Sequence, residues 1–188
     1  MKRLIALLLL VAALAFAPHA EAFSLSLEPP SQTIAVGDTA TFALRVTDLA
    51  DPILFYTLDV LFDASVLAFQ GAIFTNALGN PSDSMVDTSL VDTGLLGLVG
   101  TSATGSLTGD FDLAYLTFSG ITAGTSDLII GSNTFFGIDP NTGGDIPLNV
   151  DSLFDSRATV VNAVPEPGTL ILLGAGLTGL AVWRRRHP

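Results

Sequence analysis

The sequence predicts an all-β sandwich with an apolar helix at each end. Between residues 23 and 164, apolar and polar side chains alternate in short runs, which is the pattern of half-buried strands. Turn signals such as Gly37-Asp38 and Asp51-Pro52 separate these runs. No stretch of this region sustains a helical period. Many short strands with turns at this spacing favour two packed sheets.

The strand pattern is clearest in the first half of this region. Pro29-Pro30 ends the first strand, because proline has no N–H to donate to a sheet. Asp63-Ala64-Ser65 makes a tight connection between two strongly alternating runs. The strands predicted here are residues 23–27, 34–36, 42–46, 54–62 and 66–74.

The second half is looser and richer in glycine and serine. Residues 85–91 and 95–101 predict a hairpin around Asp92-Thr93-Gly94. Residues 111, 113 and 115 occupy alternate positions and predict one buried strand face. The other predicted strands are 128–131, 133–137 and 156–162, with loops at 80–83, 102–110 and 139–145.

The amino terminus has the three parts of a secretory signal. Lys2-Arg3 gives a basic start, residues 4–17 form an apolar run, and Ala20-Glu21-Ala22 gives the small-x-small cleavage pattern. We therefore predict a signal peptide over residues 1–22, with cleavage after Ala22. A first transmembrane helix is the alternative, and the apolar run is short for one.

The carboxyl terminus has a rigid joint, an apolar run and a basic end. Pro165 and Pro167 fix φ and carry no N–H, so this joint cannot continue a strand or a helix. Residues 168–183 would form a transmembrane helix about 24 Å long, slightly shorter than a bilayer core of about 30 Å. An interfacial tryptophan and snorkelling arginines compensate for the difference. The predicted membrane stop is Trp183, Arg184, Arg185 and Arg186. A plain membrane anchor or a buried C-terminal helix is the alternative.

Residues 164–188 resemble the PEP-CTERM sorting signal in motif, order, spacing and terminal position. The resemblance implies a Gram-negative exported protein whose precursor is anchored in the inner membrane and processed by an exosortase. It also implies a destination at the cell surface or in the extracellular matrix, where such proteins are linked to exopolysaccharide and biofilm. The sorting motif implied by the resemblance is Val164, Pro165, Glu166 and Pro167.

The region between the two terminal segments, residues 23–163, is similar to cohesin modules. The likeness rests on the runs at 36–46, 58–69, 110–118 and 156–161. The second run has an alternating strand, an aromatic-Asp turn and a Val-Leu-x-Phe strand, although Ala64 stands where proline is frequent. The resemblance implies a jelly-roll sandwich of about nine strands, related to carbohydrate-binding modules. It also implies a dockerin-like protein partner that is bound through one sheet face.

The predicted domain is strongly acidic. It contains sixteen acidic residues against two basic ones, Arg45 and Arg157, which gives a formal net charge of −14. Such a surface repels nucleic acid, which needs a basic footprint, and we therefore exclude nucleic acid as a partner. It also repels anionic lipid and attracts divalent cations weakly.

The residue types present exclude most catalytic devices. The predicted domain has no histidine, cysteine, lysine or tryptophan, so it cannot form a Ser-His-Asp or Cys-His device or a zinc site of those ligands. Carboxylate-pair glycoside hydrolysis is the one common hydrolytic scheme left, with Asp110 and Asp112, or Asp59 and Asp63, as candidate pairs. We expect these carboxylates to be solvated strand ends and the protein to have no enzymatic activity.

One loop has oxygen side chains at the alternate positions that calcium loops use. These candidate ligands are Asp139, Asn141 and Asp145. Gly143 lacks an oxygen side chain, however, and Val150 stands where a bidentate glutamate belongs. A hairpin loop is the preferred interpretation, and calcium is the one cofactor that the sequence leaves open.

The remaining function classes are binding functions. Sugar binding usually needs exposed aromatic rings, but Tyr56 and Tyr115 both occupy alternating apolar positions and are predicted to lie in the core. Protein binding through a sheet face or an edge strand needs no special residue types. The sequence therefore predicts a non-enzymatic exported module that binds a protein or the matrix. A carbohydrate-binding or polysaccharide-active module is the alternative.

Overall fold

A computed structural model describes residues 22–103, 105–139, 142–162, 174–178 and 183–184. Residues 22–162 form eleven strands, which confirms the all-β sandwich. Most of each predicted terminal helix lies outside the described residues; the segments 174–178 and 183–184 are helical and exposed. None of the helical segments that the structure describes is long and apolar enough to cross a membrane.

The strands account for most of the domain, and three short 3₁₀ turns lie between β5 and β7. In chain order the strands are β1 (Ala22–Glu28), β2 (Ser31–Ala35), β3 (Thr39–Leu49), β4 (Ile53–Leu61), β5 (Leu67–Phe74), β6 (Ser84–Asp87), β7 (Leu95–Thr101), β8 (Gly109–Gly120), β9 (Gly124–Ile138), β10 (Asp145–Phe154) and β11 (Ser156–Val161). The 3₁₀ turns span Asn76–Leu78, Pro81–Asp83 and Val91–Thr93.

Two layers pack face to face. One has the strand order β5-β8-β3-β1, and the other has the order β6-β7-β4-β9. β10 joins them, because its first half pairs antiparallel with β9 and its second half pairs parallel with β1. β11 pairs antiparallel with β9 and parallel with β2. The result is a sandwich closed along one side.

The alternating apolar residues fill the space between the layers, as the sequence predicts. Phe42, Leu44 and Val46 of β3 are fully buried. Phe135 lies at the centre of an aromatic group, with its ring 5.7 Å from Tyr56 in a stacked arrangement and 5.1 Å from Phe23 in an edge arrangement. Each such side chain contributes roughly 1.5–3 kcal/mol of burial free energy.

The hydroxyl of Tyr56 is a buried polar group in this core. It has no hydrogen-bond partner among the described residues, although the nearby Ser84 hydroxyl opposes part of the effect of burial on its pKa. Burial disfavours the ionised phenol and raises the pKa of Tyr56 to about 12.

The prediction that Tyr115 lies in the core is wrong. Opposite β3, the pairing moves from Leu44–Ala114 directly to Arg45–Asp112, so Leu113 is an extra residue on β8. A bulge of one residue exchanges the two faces of a strand beyond it. Leu113 and Ala114 are therefore both buried, and Tyr115 points outward with 38% of its surface exposed.

Three other elements differ from the predicted strands. β6 is shorter than the predicted first arm of its hairpin and reaches β7 through a 3₁₀ turn. β9 is continuous where a break was expected at residue 132. β10 was not predicted, because it contains Pro147 and changes its partner sheet midway.

Candidate binding surface

The outward side of β6, β7, β4 and β9, which we call the open face, carries a set of exposed apolar side chains in two groups. Leu61 pairs with Leu95 on one side and Ile129 on the other, and Met85 pairs with Val99. Met85 is 65% exposed, Ile129 43% and Leu61 39%. Single exposed apolar residues are ordinary, whereas a connected group of them is typical of an interaction site.

The centre of the open face is flat and acidic. Asp59 and Asp87 lie in register on either side of Gly97. A Cβ atom at Gly97 would lie 3.2 Å from the Asp87 Cβ and 4.0 Å from an Asp59 carboxylate oxygen. A Cβ atom at Gly131 would lie 2.5 Å from Leu61 Cδ1. Glycine at these positions therefore leaves the two carboxylates and the leucine uncovered.

One end of the open face carries an aromatic pair. Phe55 and Phe136 face each other across β4 and β9, with ring centroids 6.4 Å apart and planes inclined by 34°. A cleft of about 440 Å³ lies beside them, lined by Leu54, Phe55, Phe136 and Asp145. The other end of β9 carries an ion pair, in which Arg157 Nε donates to Asp127 at 2.6 Å.

The opposite side of the sandwich, the outward side of β5, β8, β3 and β1, is called the closed face because its polar groups pair with one another. Arg45 Nη1 donates to Asp112 Oδ1 at 3.1 Å, and the Tyr115 hydroxyl donates to Asp112 Oδ2 at 2.8 Å. This hydrogen bond and the negative charge of Asp112 raise the pKa of Tyr115. The hydroxyl groups of Thr41 and Thr117 lie 3.1 Å apart, within hydrogen-bond distance.

The structure gives three of the four candidate catalytic carboxylates structural partners, and the fourth, Asp59, lies at the centre of the open face. Asp110 accepts a hydrogen bond from the Asp48 backbone N–H at 3.0 Å, and Asp112 is held by Arg45 and Tyr115. Asp63 lies in the turn after β4, where hydrogen bonds from the Ser65 hydroxyl and backbone N–H lower its pKa. A general acid in a glycosidase needs a raised pKa, so Asp63 does not fit that role.

The calcium candidates lie at the β9–β10 hairpin. Asp139 Oδ2 accepts a hydrogen bond from the Thr142 hydroxyl at 2.6 Å, and Asp145 begins β10. Asn141 lies outside the described residues. In the part of the chain that the structure describes, no three acidic, histidine or cysteine side chains cluster closely enough to hold a metal. The calcium site stays a prediction.

The predicted processing residues lie mostly beyond the described part of the chain. Ala22 is exposed and begins β1, opposite Asn149. Trp183 and Arg184 are exposed helical residues. The others, for which the roles also stay predictions, lie outside the described residues: Ala20, Val164, Pro165, Glu166, Pro167, Arg185 and Arg186.

Solved structures of cohesins match the sandwich over nearly their whole length. The seventh ScaB type I cohesin from Pseudobacteroides cellulosolvens has a TM-score of 0.65 at 14% identity, over 77% of this chain and 96% of that chain. The domain has a cohesin-like fold. The sixth cohesin from scaffoldin B of Acetivibrio cellulolyticus, solved in complex with a dockerin, has a TM-score of 0.62 at 17% identity, over 74% and 99%. A non-cellulosomal cohesin from the archaeon Archaeoglobus fulgidus has a TM-score of 0.57 at 15% identity, over 75% and 92%.

The tail carries a second match. Residues 163–186 match the PEP-CTERM protein-sorting motif, which confirms the resemblance found in the sequence. The motif indicates a protein that is exported and processed at the membrane. No curated protein matches this sequence. At these sequence identities, the structural matches establish the fold alone. The binding partner has to be inferred from the surface of this chain.

Proposed function

We propose that this protein is a non-enzymatic, exported binding module that docks a partner protein on its open face. The observation that carries the proposal is the apolar set of the open face, in which the group around Leu61 and the Met85–Val99 pair lie on either side of Asp59 and Asp87. Apolar surface supplies the burial free energy of a protein interface, at about 25 cal/mol per Å². The carboxylates favour a partner of complementary charge and set its register.

The partner that fits this surface presents apolar side chains around basic groups. The domain has only two basic residues, and each is already in an ion pair, Arg45 with Asp112 and Arg157 with Asp127. A cation that pairs with Asp59 or Asp87 therefore has to come from outside the domain. A dockerin-like protein is one such partner, because a cohesin of the same fold was solved with a dockerin.

The sorting tail would deliver the domain to its partner. In this proposal an exosortase reads the motif at residues 164–167, and Trp183 with the arginines at 184–186 holds the precursor in the inner membrane. The released domain then resides at the cell surface or in the extracellular matrix, in contact with exopolysaccharide and biofilm components.

The test of the binding function uses the full chain as bait on envelope and matrix fractions from the native source. We expect the immobilised chain to capture a discrete protein partner. Free soluble chain should compete for this partner, and high salt should release it. Glycan-array binding and polysaccharide turnover are measured in parallel. Binding only to glycans, or hydrolysis that Asp110→Asn abolishes, would replace the proposal with the polysaccharide-directed alternative.

The test of the sorting function changes Pro165, Glu166 and Pro167 together to alanine in an epitope-tagged chain. We expect the uncut precursor to accumulate in the membrane fraction, as seen by immunoblot. The matched control is Ser152→Ala on β10, which should be processed like the wild type. Equal processing of both variants would contradict the proposed role of the motif.

A further inference from the structure

The cleft at the end of the open face combines an aromatic pair with a carboxylate. Strand register brings them together: Phe55 lies opposite Phe136, and Phe136 lies opposite Pro147 of β10. Asp145 is two residues from Pro147 and so shares its outward side. Diagonal neighbours of this kind are about 7–8 Å apart, within reach of one long side chain.

These groups have complementary uses for a cation. The face of an aromatic ring attracts a cation. This cation is more often arginine than lysine, because the planar guanidinium also stacks on the ring. A carboxylate accepts two parallel hydrogen bonds from the same guanidinium. In the described part of the chain, no hydrogen bond or ion pair engages the Asp145 side chain.

The cation has to come from outside the domain. The domain contains no lysine, and Arg45 and Arg157 are held by Asp112 and Asp127. A sugar fits the cleft less well, because Asp145 supplies the only polar side chain among the four lining residues and a sugar ring presents several hydroxyl groups.

We propose that the Phe55–Phe136 cleft receives an arginine side chain of the partner protein, with its stem against the rings and its guanidinium on Asp145. The inference rests on the proposed function and names the residue type that anchors one end of the partner. It places the anchor at the edge of the open face, away from the flat acidic centre.

The experiment uses saturation-transfer NMR on the full chain in zwitterionic detergent. The probes are N-acetyl-arginine N-methylamide and its citrulline analogue, which has the same shape without the charge. We expect the arginine probe to bind and the citrulline probe to give no signal. Phe136→Leu and Asp145→Asn should each weaken arginine binding about threefold, and the double variant about tenfold.

The matched control is Asp151→Asn, an exposed position on β10 that removes the same charge away from the cleft, and it should bind like the wild type. Near-UV circular dichroism checks the fold of each variant. If Phe136→Leu disturbs the fold, the exposed Asp145→Asn change still decides the question.

Three results would overturn the inference: equal binding of both probes, displacement of the arginine probe by the neutral sugar cellotriose, or no effect of Asp145→Asn. Capture of a protein partner that is indifferent to the cleft variants would refute the inference and leave the proposed function intact. Arginine binding without capture of any protein would refute the proposed function alone.

Discussion

On the closed face, Asp112 is held by Arg45 and Tyr115, whereas on the open face Asp59 lies beside Gly97 with no hydrogen bond or ion pair among the described residues. The two faces cover the same core and are built from strands with the same inward alternation. Packing fixes the inward residues of both layers. The outward residues are under no such constraint, so a central carboxylate can be paired on one face, as Asp112 is, and left unpaired on the other, as Asp59 is, although Asp87 accepts a hydrogen bond from the Ser89 backbone N–H.

This difference shows where a cohesin-like sandwich can carry a binding function. A face whose side chains already pair with one another has to lose those contacts before it gains new ones. The apolar groups and the unpaired carboxylate of Asp59 on the open face lose only their contact with water.

The largest effect is expected from placing a charge in the apolar set of the open face. Leu61→Asp should weaken partner binding at least about a hundredfold, because the interface would have to bury an unpaired carboxylate. The matched change on the closed face is Ile73→Asp, at a side chain that is 70% exposed. It should leave the dissociation constant unchanged in biolayer interferometry. A similar loss for both variants would remove the distinction between the faces.

The next effect compares a tyrosine inside the sandwich with one outside it. Burial raises the pKa of Tyr56 to about 12, while an unfolded tyrosine titrates near 10. The folded state therefore keeps the phenol proton to a higher pH than the unfolded state does. The contribution of Tyr56 to the free energy of unfolding is complete below pH 10 and is lost as the pH rises towards 12. We expect a loss of roughly 1.5 kcal/mol between pH 10 and 11.5.

Urea unfolding at these two pH values measures the loss. Tyr56→Phe should remove most of it and should not destabilise the protein at neutral pH, because the buried hydroxyl has no hydrogen-bond partner among the described residues. Tyr115→Phe, on the exposed closed face, should retain most of the alkaline loss. The interpretation fails if the two variants exchange these behaviours.

A smaller effect should follow from a methyl group at the flat centre. Gly97→Ala places a Cβ between Asp59 and Asp87 and should weaken partner binding about fivefold, or about 1 kcal/mol, by steric interference. Gly71→Ala is the control, because a Cβ on this β5 residue of the closed face meets no atom within 4 Å. Calorimetric titration of both variants gives the comparison. A tighter complex for Gly97→Ala would show that the partner does not approach the centre.

The smallest effect tests the internal pairing of the closed face. Asp112→Asn removes the charged acceptor of the Tyr115 hydroxyl, so the pKa of Tyr115 should fall towards its ordinary value. Absorbance at 295 nm in a Tyr56→Phe background follows Tyr115 alone, since the chain has two tyrosines. The partially exposed ion pair with Arg45 contributes less than about 1 kcal/mol to stability. An unchanged titration would mean that the closed face is not paired in solution.

The sequence predicts which side chains are buried wherever a strand keeps the same inward–outward alternation along its whole length. Phe42, Leu44 and Val46 are buried as their alternation predicts, and the turn at Gly37 has the positive φ that favours glycine. Tyr115 was misplaced because a single extra residue at Leu113 reverses the phase, and no residue type marks that position in the sequence.

The open face could not be predicted because it depends on register. Phe55 and Leu61 are apolar although they occupy outward positions of β4, where alternation predicts polar residues. These two residues are the signal in the sequence that points to an apolar outer surface. Alternation along one strand does not show that Leu61 lies between Leu95 and Ile129. The cleft is not visible in the sequence either, because its carboxylate comes from β10, a strand that no alternating pattern indicates.

The position of β10 also has a consequence for how the chain folds. Its pairing with β1 brings Phe23 opposite Val150, so contact between the two ends of the domain closes a very long loop. In a chain that emerges amino end first, β1 waits for its parallel neighbour until almost the whole domain has been translocated. Such distant contacts slow folding and leave strand edges exposed meanwhile. Until β10 arrives, one edge of β1 stays unpaired and can pair with neighbouring polypeptides.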